Sequence, residues 1–211
     1  MIAAYSRCAR MPMCLKRAVL LSLLFCAGLL PAAGSAADEG KNGPLVVYGD
    51  LFMFTVQEPA GWTADIENAA KASAGVVLVR AGETFEKHGV LIAIRVAKKV
   101  DEDTKEDLAH DMGEFRNLYP DVQFKDLKVK HPSYASHAKL FTIPRSRHDY
   151  VTYLNPGAGM PFLCSVTMTT GKKEADKKDL TAYRDIVRSL EFIPQDAAKP
   201  LPRRGTTGPS R

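Results

Sequence analysis

Hydrophobic and polar residues alternate along much of the chain, which is the pattern of half-buried β-strands. In residues 51–57, Phe52, Phe54 and Val56 fall on one face and their neighbours on the other. Prolines, glycines and serines separate the alternating segments and mark turns between them. Two further segments, at residues 75–80 and 90–96, are β-branched runs, which also favour strands. Together these patterns predict strands at residues 46–48, 51–57, 75–80, 90–96, 123–130, 137–143, 149–154 and 161–169.

A helical period replaces this alternation in two segments. Residues 104–119 carry apolar side chains three or four positions apart, from Leu108 to Tyr119, and Asp103 begins a capping box just before them. Residues 174–190 carry a second apolar stripe of the same spacing. One apolar face on each helix and a series of antiparallel strands predict an α+β fold, in which helices pack on an antiparallel β-sheet.

The first 37 residues have the order of a secretory signal peptide. Basic residues precede an apolar stretch at 18–30, and a run of small residues follows it. The thirteen residues of that stretch fall short of the roughly 20 needed to span a bilayer. We therefore expect cleavage after Ala36 or Ala37, export to the periplasm, and no transmembrane anchor in the mature protein.

The signal peptide accounts for most of the basic charge. The chain has 29 Lys and Arg against 24 Asp and Glu, and four of the basic residues lie in the first 37, which leaves 25 against 24. A nearly neutral mature protein does not predict a nucleic-acid-binding surface. We expect one α+β domain over 38–193 and a disordered tail over 194–211, which carries four prolines and no apolar period.

Short sequence signatures then suggest a family. A strand leads into Pro59, Gly61 and Trp62; the segments VVLVR and GVLIAIRV form neighbouring strands; and DEDTKEDLAHDMGEF and RDIVRSLEFI form the helices. Over residues 46–193 this order resembles the PsbP-like superfamily, which includes the DcrB-like envelope proteins of bacteria. The resemblance implies a PsbP-like fold and a binding or accessory protein rather than an enzyme. We expect no cofactor.

Four residues are candidates for contact with a partner. Trp62 follows a turn, Phe85 and His88 lie in the long loop between two predicted strands, and Tyr150 lies in a later strand. Aromatic rings at such places either pack in a core or present themselves to a partner, and packing is the commoner use of a lone tryptophan. The sequence leaves both interpretations open for Trp62.

A metal site is the alternative interpretation. Glu106, His110 and Glu114 are four residues apart and share one face of the predicted helix, where a carboxylate, an imidazole and a carboxylate could bind a divalent cation. Acidic residues are also favoured in the first turn of any helix, and the sequence contains no HExxH motif.

The motifs of nucleophilic enzymes are not present in the sequence. Cys164, the one cysteine outside the signal peptide, shares a predicted strand face with Phe162 and Val166 and is expected to be buried. We therefore expect an exported, non-catalytic accessory or binding protein whose partner is an envelope protein or another exported macromolecule. A metal-binding protein or metal-dependent enzyme, and a periplasmic inhibitor or immunity protein, are the alternatives.

Overall fold

The computed structural model describes residues 43–49, 52–99, 103–157 and 159–194. The predicted signal peptide, Leu51 of the second predicted strand, and the tail from residue 195 onward lie outside these ranges. The described elements are β1 Leu45–Tyr48, β2 Met53–Val56, β3 Trp62–Asp65, a 3-10 helix Ala69–Ala72, β4 Val76–Arg80, β5 Val90–Lys98, α1 Thr104–Leu118, β6 Gln123–Asp126, β7 Ala135–Ile143, β8 Arg147–Asn155, β9 Phe162–Thr170, α2 Lys177–Ser189 and β10 Glu191–Phe192.

The strands form two antiparallel sheets. Seven strands pair in the order β3-β4-β5-β9-β8-β7-β6, and three more pair in the order β1-β2-β10. The predicted α+β class, with helices on antiparallel sheets, is confirmed. Strands β3 and β10, of four and two residues, were not predicted. The strand predicted at residues 123–130 is shorter than expected and ends at Asp126.

The main core lies on one face of the seven-stranded sheet. Helix α2 and the small sheet cover this face, and Tyr183, Phe54, Leu78, Ile92 and Met168 are among the fully buried side chains there. Alternation explains the composition of this core, because every second residue of each strand points to the same face.

Two separate covers lie on the opposite face. Helix α1 covers the β6–β8 side through Leu108, with Phe141 and Tyr153 beneath it. The 3-10 helix covers the β4–β5 side through Ala72, which packs on Val77 and Ala93. The central strand β9 runs between these covers.

Both helices begin at an aspartate that caps them. The Asp103 carboxylate accepts a hydrogen bond of 3.0 Å from the Lys105 amide, and the Asp176 carboxylate accepts one of 2.9 Å from the Asp179 amide. The cap at Asp176 explains why α2 begins three residues later than the apolar pattern predicts. Within the described residues, no helix combines the length and apolar character needed to span a membrane.

Candidate functional site

An open groove lies at the β3 end of the large sheet, and we call it the loop groove. Its walls are β3 with the turn at residues 66–68 on one side and the loop at residues 81–89 on the other. Val79 of β4 lies at its base, and the groove has a volume of about 540 Å³. Ile66 on its wall is 53% exposed, so the groove offers apolar as well as polar surface.

Carboxylates dominate the charge of the loop groove. Asp65, Glu67, Glu83 and Glu86 line it. Hydrogen bonds from the backbone and side chain of Asn68 lower the pKa of Asp65, and a hydrogen bond from Lys71 lowers the pKa of Glu86. These two carboxylates are therefore ionised at neutral pH, and the groove is an acidic surface.

Internal hydrogen bonds fix the loop that forms the second wall. The Glu83 carboxylate accepts a bond of 3.0 Å from the Gly89 amide and so closes the loop at its base. His88 Nδ1 donates to the Phe85 carbonyl at 2.6 Å, and Lys71 Nζ lies 3.1 Å from Glu86 Oε1. A wall held in this way needs little ordering when a ligand binds.

The four predicted partner residues lie in different places. Phe85 and His88 belong to the loop wall, where His88 is exposed and the half-buried Phe85 ring packs beside the 3-10 helix. Trp62 is 9% exposed and Tyr150 is 3% exposed, and both belong to the main core. A partner could reach the latter two only if their rings left the core. The binding role of all four residues stays a prediction.

The Tyr150 hydroxyl has a hydrogen-bond partner within the chain. It accepts a hydrogen bond of 3.1 Å from the Ala175 amide, just before the cap of α2. Burial raises the pKa of Tyr150. Its hydroxyl thus ties β8 to the start of the helix.

The predicted metal-binding face of α1 points to solvent. Glu106 is exposed, and His110 Nε2 lies 3.5 Å from Glu114 Oε1 with the two side chains 68% and 48% exposed. Across the residues that the structure describes, no group of three His, Cys, Asp or Glu side chains is placed to hold a metal ion.

A row of polar side chains, which the sequence pattern does not reveal, runs across the sheet between the two covers. Arg95 of β5 and Tyr153 of β8 lie on either side of Ser165 of β9 in direct register. The Tyr153 hydroxyl donates to Asp111 of α1, and Arg95 Nε donates to the Ala72 carbonyl at 3.1 Å. The row therefore links the two covers of this face.

Burial raises the pKa of two groups in and beside this row, Asp111 and Tyr153. Burial raises the pKa of Asp111, and burial together with the Asp111 charge raises the pKa of Tyr153. The phenol therefore stays a hydrogen-bond donor to the carboxylate at neutral pH. Asp111 lies in the helix that the sequence predicts at residues 104–119, but its contact with Tyr153 depends on how α1 packs on the sheet.

A smaller cavity of about 280 Å³ lies between the first half of α1 and strands β6 and β7. Its lining combines Lys105 and Met112 of the helix with His137 of β7. His137 Nε2 is 3.6 Å from Asp103 Oδ1, the carboxylate that caps α1. This contact places the His137 ring beside the helix cap.

Comparison with known proteins gives structural matches only. No family model matches the sequence, and no curated protein matches it. LpqN of Mycobacterium tuberculosis, described as involved in cell envelope biogenesis, superposes with a TM-score of 0.51 at 17% identity, over 72% of this chain and 91% of LpqN. The cyanobacterial PsbP of Synechocystis gives a TM-score of 0.44 at 15% identity, over 76% of this chain and 99% of that protein.

These matches concern the fold. This chain shares its fold with LpqN, and the low identities leave function to be argued from the chain itself.

Proposed function

We propose that this chain is an exported, non-catalytic accessory protein of the cell envelope that binds another envelope protein or exported macromolecule in the loop groove. The observation that carries the proposal is the loop groove itself: an open channel of about 540 Å³ with a partly apolar wall and carboxylates along it. Its geometry is fixed in advance by the bonds of Glu83 and His88. Preorganised concave surfaces of this kind are typical of binding sites.

The fold comparison supports the envelope as the place of action. LpqN, which shares the fold, is described as involved in cell envelope biogenesis. The order of charged, apolar and small residues in the first 37 positions supports export to the same compartment.

Site-specific cross-linking tests the groove. A photoreactive amino acid at Thr84, which is exposed and lines the loop groove, is compared with the same residue at Arg184, which is exposed on α2. We expect a discrete adduct from Thr84 in intact cells, and its loss when Glu67→Lys reverses a groove charge. Equal labelling from Thr84 and Arg184 would contradict a binding site at the groove.

The compartment is tested separately. Sequencing the amino terminus of the purified protein should begin at residue 37 or 38, and fractionation should place the protein outside the cytoplasm. An intact leader in the cytosolic fraction would refute the export part of the proposal and leave the groove experiment interpretable.

A further inference from the structure

The edges of the two sheets are protected to different degrees. An edge strand presents unpaired N–H and C=O groups that can pair with another strand, and proteins block such edges with side chains, charges or turns. In an antiparallel pair the backbone groups of alternate residues point away from the partner strand. An edge is therefore protected when the outward-pointing amides of its strand are already hydrogen-bonded within the chain.

The edge at β3 is blocked by the turn that precedes it. The Ala81 amide bonds to the Gly61 carbonyl, so Trp62 and Ala64 are the β3 residues whose amides point outward. The Trp62 amide donates to the Pro59 carbonyl at 3.0 Å. The Ala64 amide donates to the Glu58 carboxylate at 2.5 Å. Both outward donors of β3 are occupied within the chain.

The edges at β10 and β6 are blocked by other means. The Ile193 amide bonds inward to Met53, and the outward amide of Phe192 donates to the Tyr134 hydroxyl at 3.0 Å. Strand β6 has Lys125 and Asp126 within its four residues. Charged residues on an edge disfavour pairing with another strand.

The edge at β1 has neither bonded outward amides nor charged residues among the residues that the structure describes. The Gly49 amide bonds to the Phe52 carbonyl of the β2 side at 2.9 Å, so Val46 and Tyr48 are the β1 residues whose amides point outward. Neither amide has an acceptor among the residues that the structure describes. Their side chains are 46% and 80% exposed, and the strand LVVY carries no charge.

We propose that β1 pairs antiparallel with β1 of a second copy of this chain, about a two-fold axis at Val47. This register places Val46 opposite Tyr48 of the second copy and Tyr48 opposite Val46 of the second copy. Both are residues whose N–H and C=O groups face outward, so each pair exchanges both of its backbone hydrogen bonds. The result is a continuous six-stranded sheet in the order β10-β2-β1-β1-β2-β10.

Self-complementarity identifies the occupant as a second copy. A two-fold interface brings the same strand against itself, which costs repulsion wherever a charge opposes its own copy. The β1 sequence opposes no charges, and its exposed side chains form a valine–tyrosine pair across the axis, a favourable cross-strand combination. Four-residue strands make a small interface, so the dimer is a weak one.

Sedimentation of the full chain, purified as the expressing cell processes it, measures the association. We expect a monomer–dimer equilibrium between about 10 μM and about 1 mM protein.

Two variants of the edge test whether β1 forms the interface. Val46→Pro removes an outward donor and leaves the β1–β2 bonds intact, and Tyr48→Lys adds a charge to the edge. Each should weaken the dimer at least about tenfold, whereas Thr63→Lys at the blocked β3 edge should leave it unchanged.

Disulfide trapping tests the register. Cys164 is buried, and Cys8, Cys14 and Cys26 are replaced by serine so that only the introduced thiol is exposed. A mixture of Val46→Cys and Tyr48→Cys chains should form a mixed disulfide dimer far faster than either chain alone, because the register pairs these two positions.

The remaining outcomes overturn the proposal. A wild-type chain that stays monomeric up to about 1 mM, or a dimer that both edge variants leave intact, refutes pairing through β1. A monomer whose Val46 and Tyr48 amides resist hydrogen exchange refutes it as well and assigns the edge to a segment of the same chain.

Discussion

Tyr183 of α2 and Thr152 of β8 are joined by a hydrogen bond of 2.6 Å in a part of the core where both side chains are fully buried. The Tyr183 hydroxyl also donates to the Val166 carbonyl of β9 at 3.3 Å. The Thr152 hydroxyl is then the donor to Tyr183. This short chain of bonds fixes α2 over two neighbouring strands of the large sheet.

Removing one partner of this buried bond should cost more than removing both. Tyr183→Phe leaves the Thr152 hydroxyl without an acceptor inside the core, and we expect a loss of about 1–3 kcal/mol in the free energy of unfolding. Adding Thr152→Val should recover part of that loss, because the valine needs no partner. Urea unfolding of both variants measures this; equal or additive losses would show that the bond does not couple the two residues.

The ion pair between Arg80 of β4 and Asp179 of α2 provides a second test. Arg80 Nε and Nη2 lie 3.0 and 2.6 Å from the two Asp179 oxygens, and the hydrogen bonds to Asp179 raise the pKa of Arg80. The Asp179 side chain is 4% exposed and the Arg80 side chain 38%. Solvent therefore screens one partner, and we expect Asp179→Asn to cost only about 1–2 kcal/mol in unfolding experiments.

Asp176 supplies the matched control for that experiment. It lies 3.8 Å from the same guanidinium, but its side chain is 61% exposed. Asparagine also caps helices well, so Asp176→Asn keeps the cap of α2 and removes only an exposed charge. A loss as large as that of Asp179→Asn would show that overall charge, rather than the buried contact, stabilises the helix on the sheet.

The long strands and helices of this fold could be predicted because each carries enough residues to show a pattern of apolar positions. Strand β5 begins as a run of apolar, mostly β-branched residues, strand β9 alternates along most of its length, and each has nine residues. The start of α1 follows its aspartate cap. Strand β10 could not be predicted, because two residues form no pattern and its position depends on Phe192 packing against Phe54. Tertiary contacts, rather than local preference, create that strand.

The candidate site was predictable only in part. The loop that carries Phe85 and His88 is visible in the sequence as a polar interruption between two apolar strands. Its groove is not, since the opposite wall belongs to the unpredicted strand β3. The contact between Asp111 and Tyr153 joins residues 42 positions apart and requires the packing of α1 over β8. Alternation assigns a residue to a face but does not say what covers that face.

His131 should make the stability of the protein depend on pH. Its Nε2–H donates to the Leu190 carbonyl at 2.8 Å, and its Nδ1 accepts from the amides of Ser133 and Tyr134 at 3.0 and 2.9 Å. Burial lowers the pKa of His131 below its usual 6.5. Protonation would place a proton on Nδ1, where two amide hydrogens already point.

The direction of the effect follows from linkage. A histidine whose pKa is lower in the folded state binds fewer protons there than in the unfolded state. Its stabilising contribution is therefore complete above a pH of about 6.5 and is lost as the pH falls through the lower, folded-state pKa. Unfolding free energies measured from pH 8 down to pH 5 should show this loss. His131→Gln should flatten the curve and the exposed His110→Gln should not; matching curves would contradict the assignment.

Cys164 should react with thiol reagents only when the protein unfolds. The side chain is fully buried on the core face of β9, and burial raises the pKa of its thiol, so little thiolate is available in the folded state. The neighbouring Ser165 points to the opposite face and is half-buried. In a Cys164→Ala chain, Ser165→Cys should therefore react in the folded state, whereas Cys164 in the wild-type chain should react at the rate of global unfolding. Pulse labelling with a maleimide measures both rates, and rapid labelling of the wild-type thiol would show that β9 leaves the core without global unfolding.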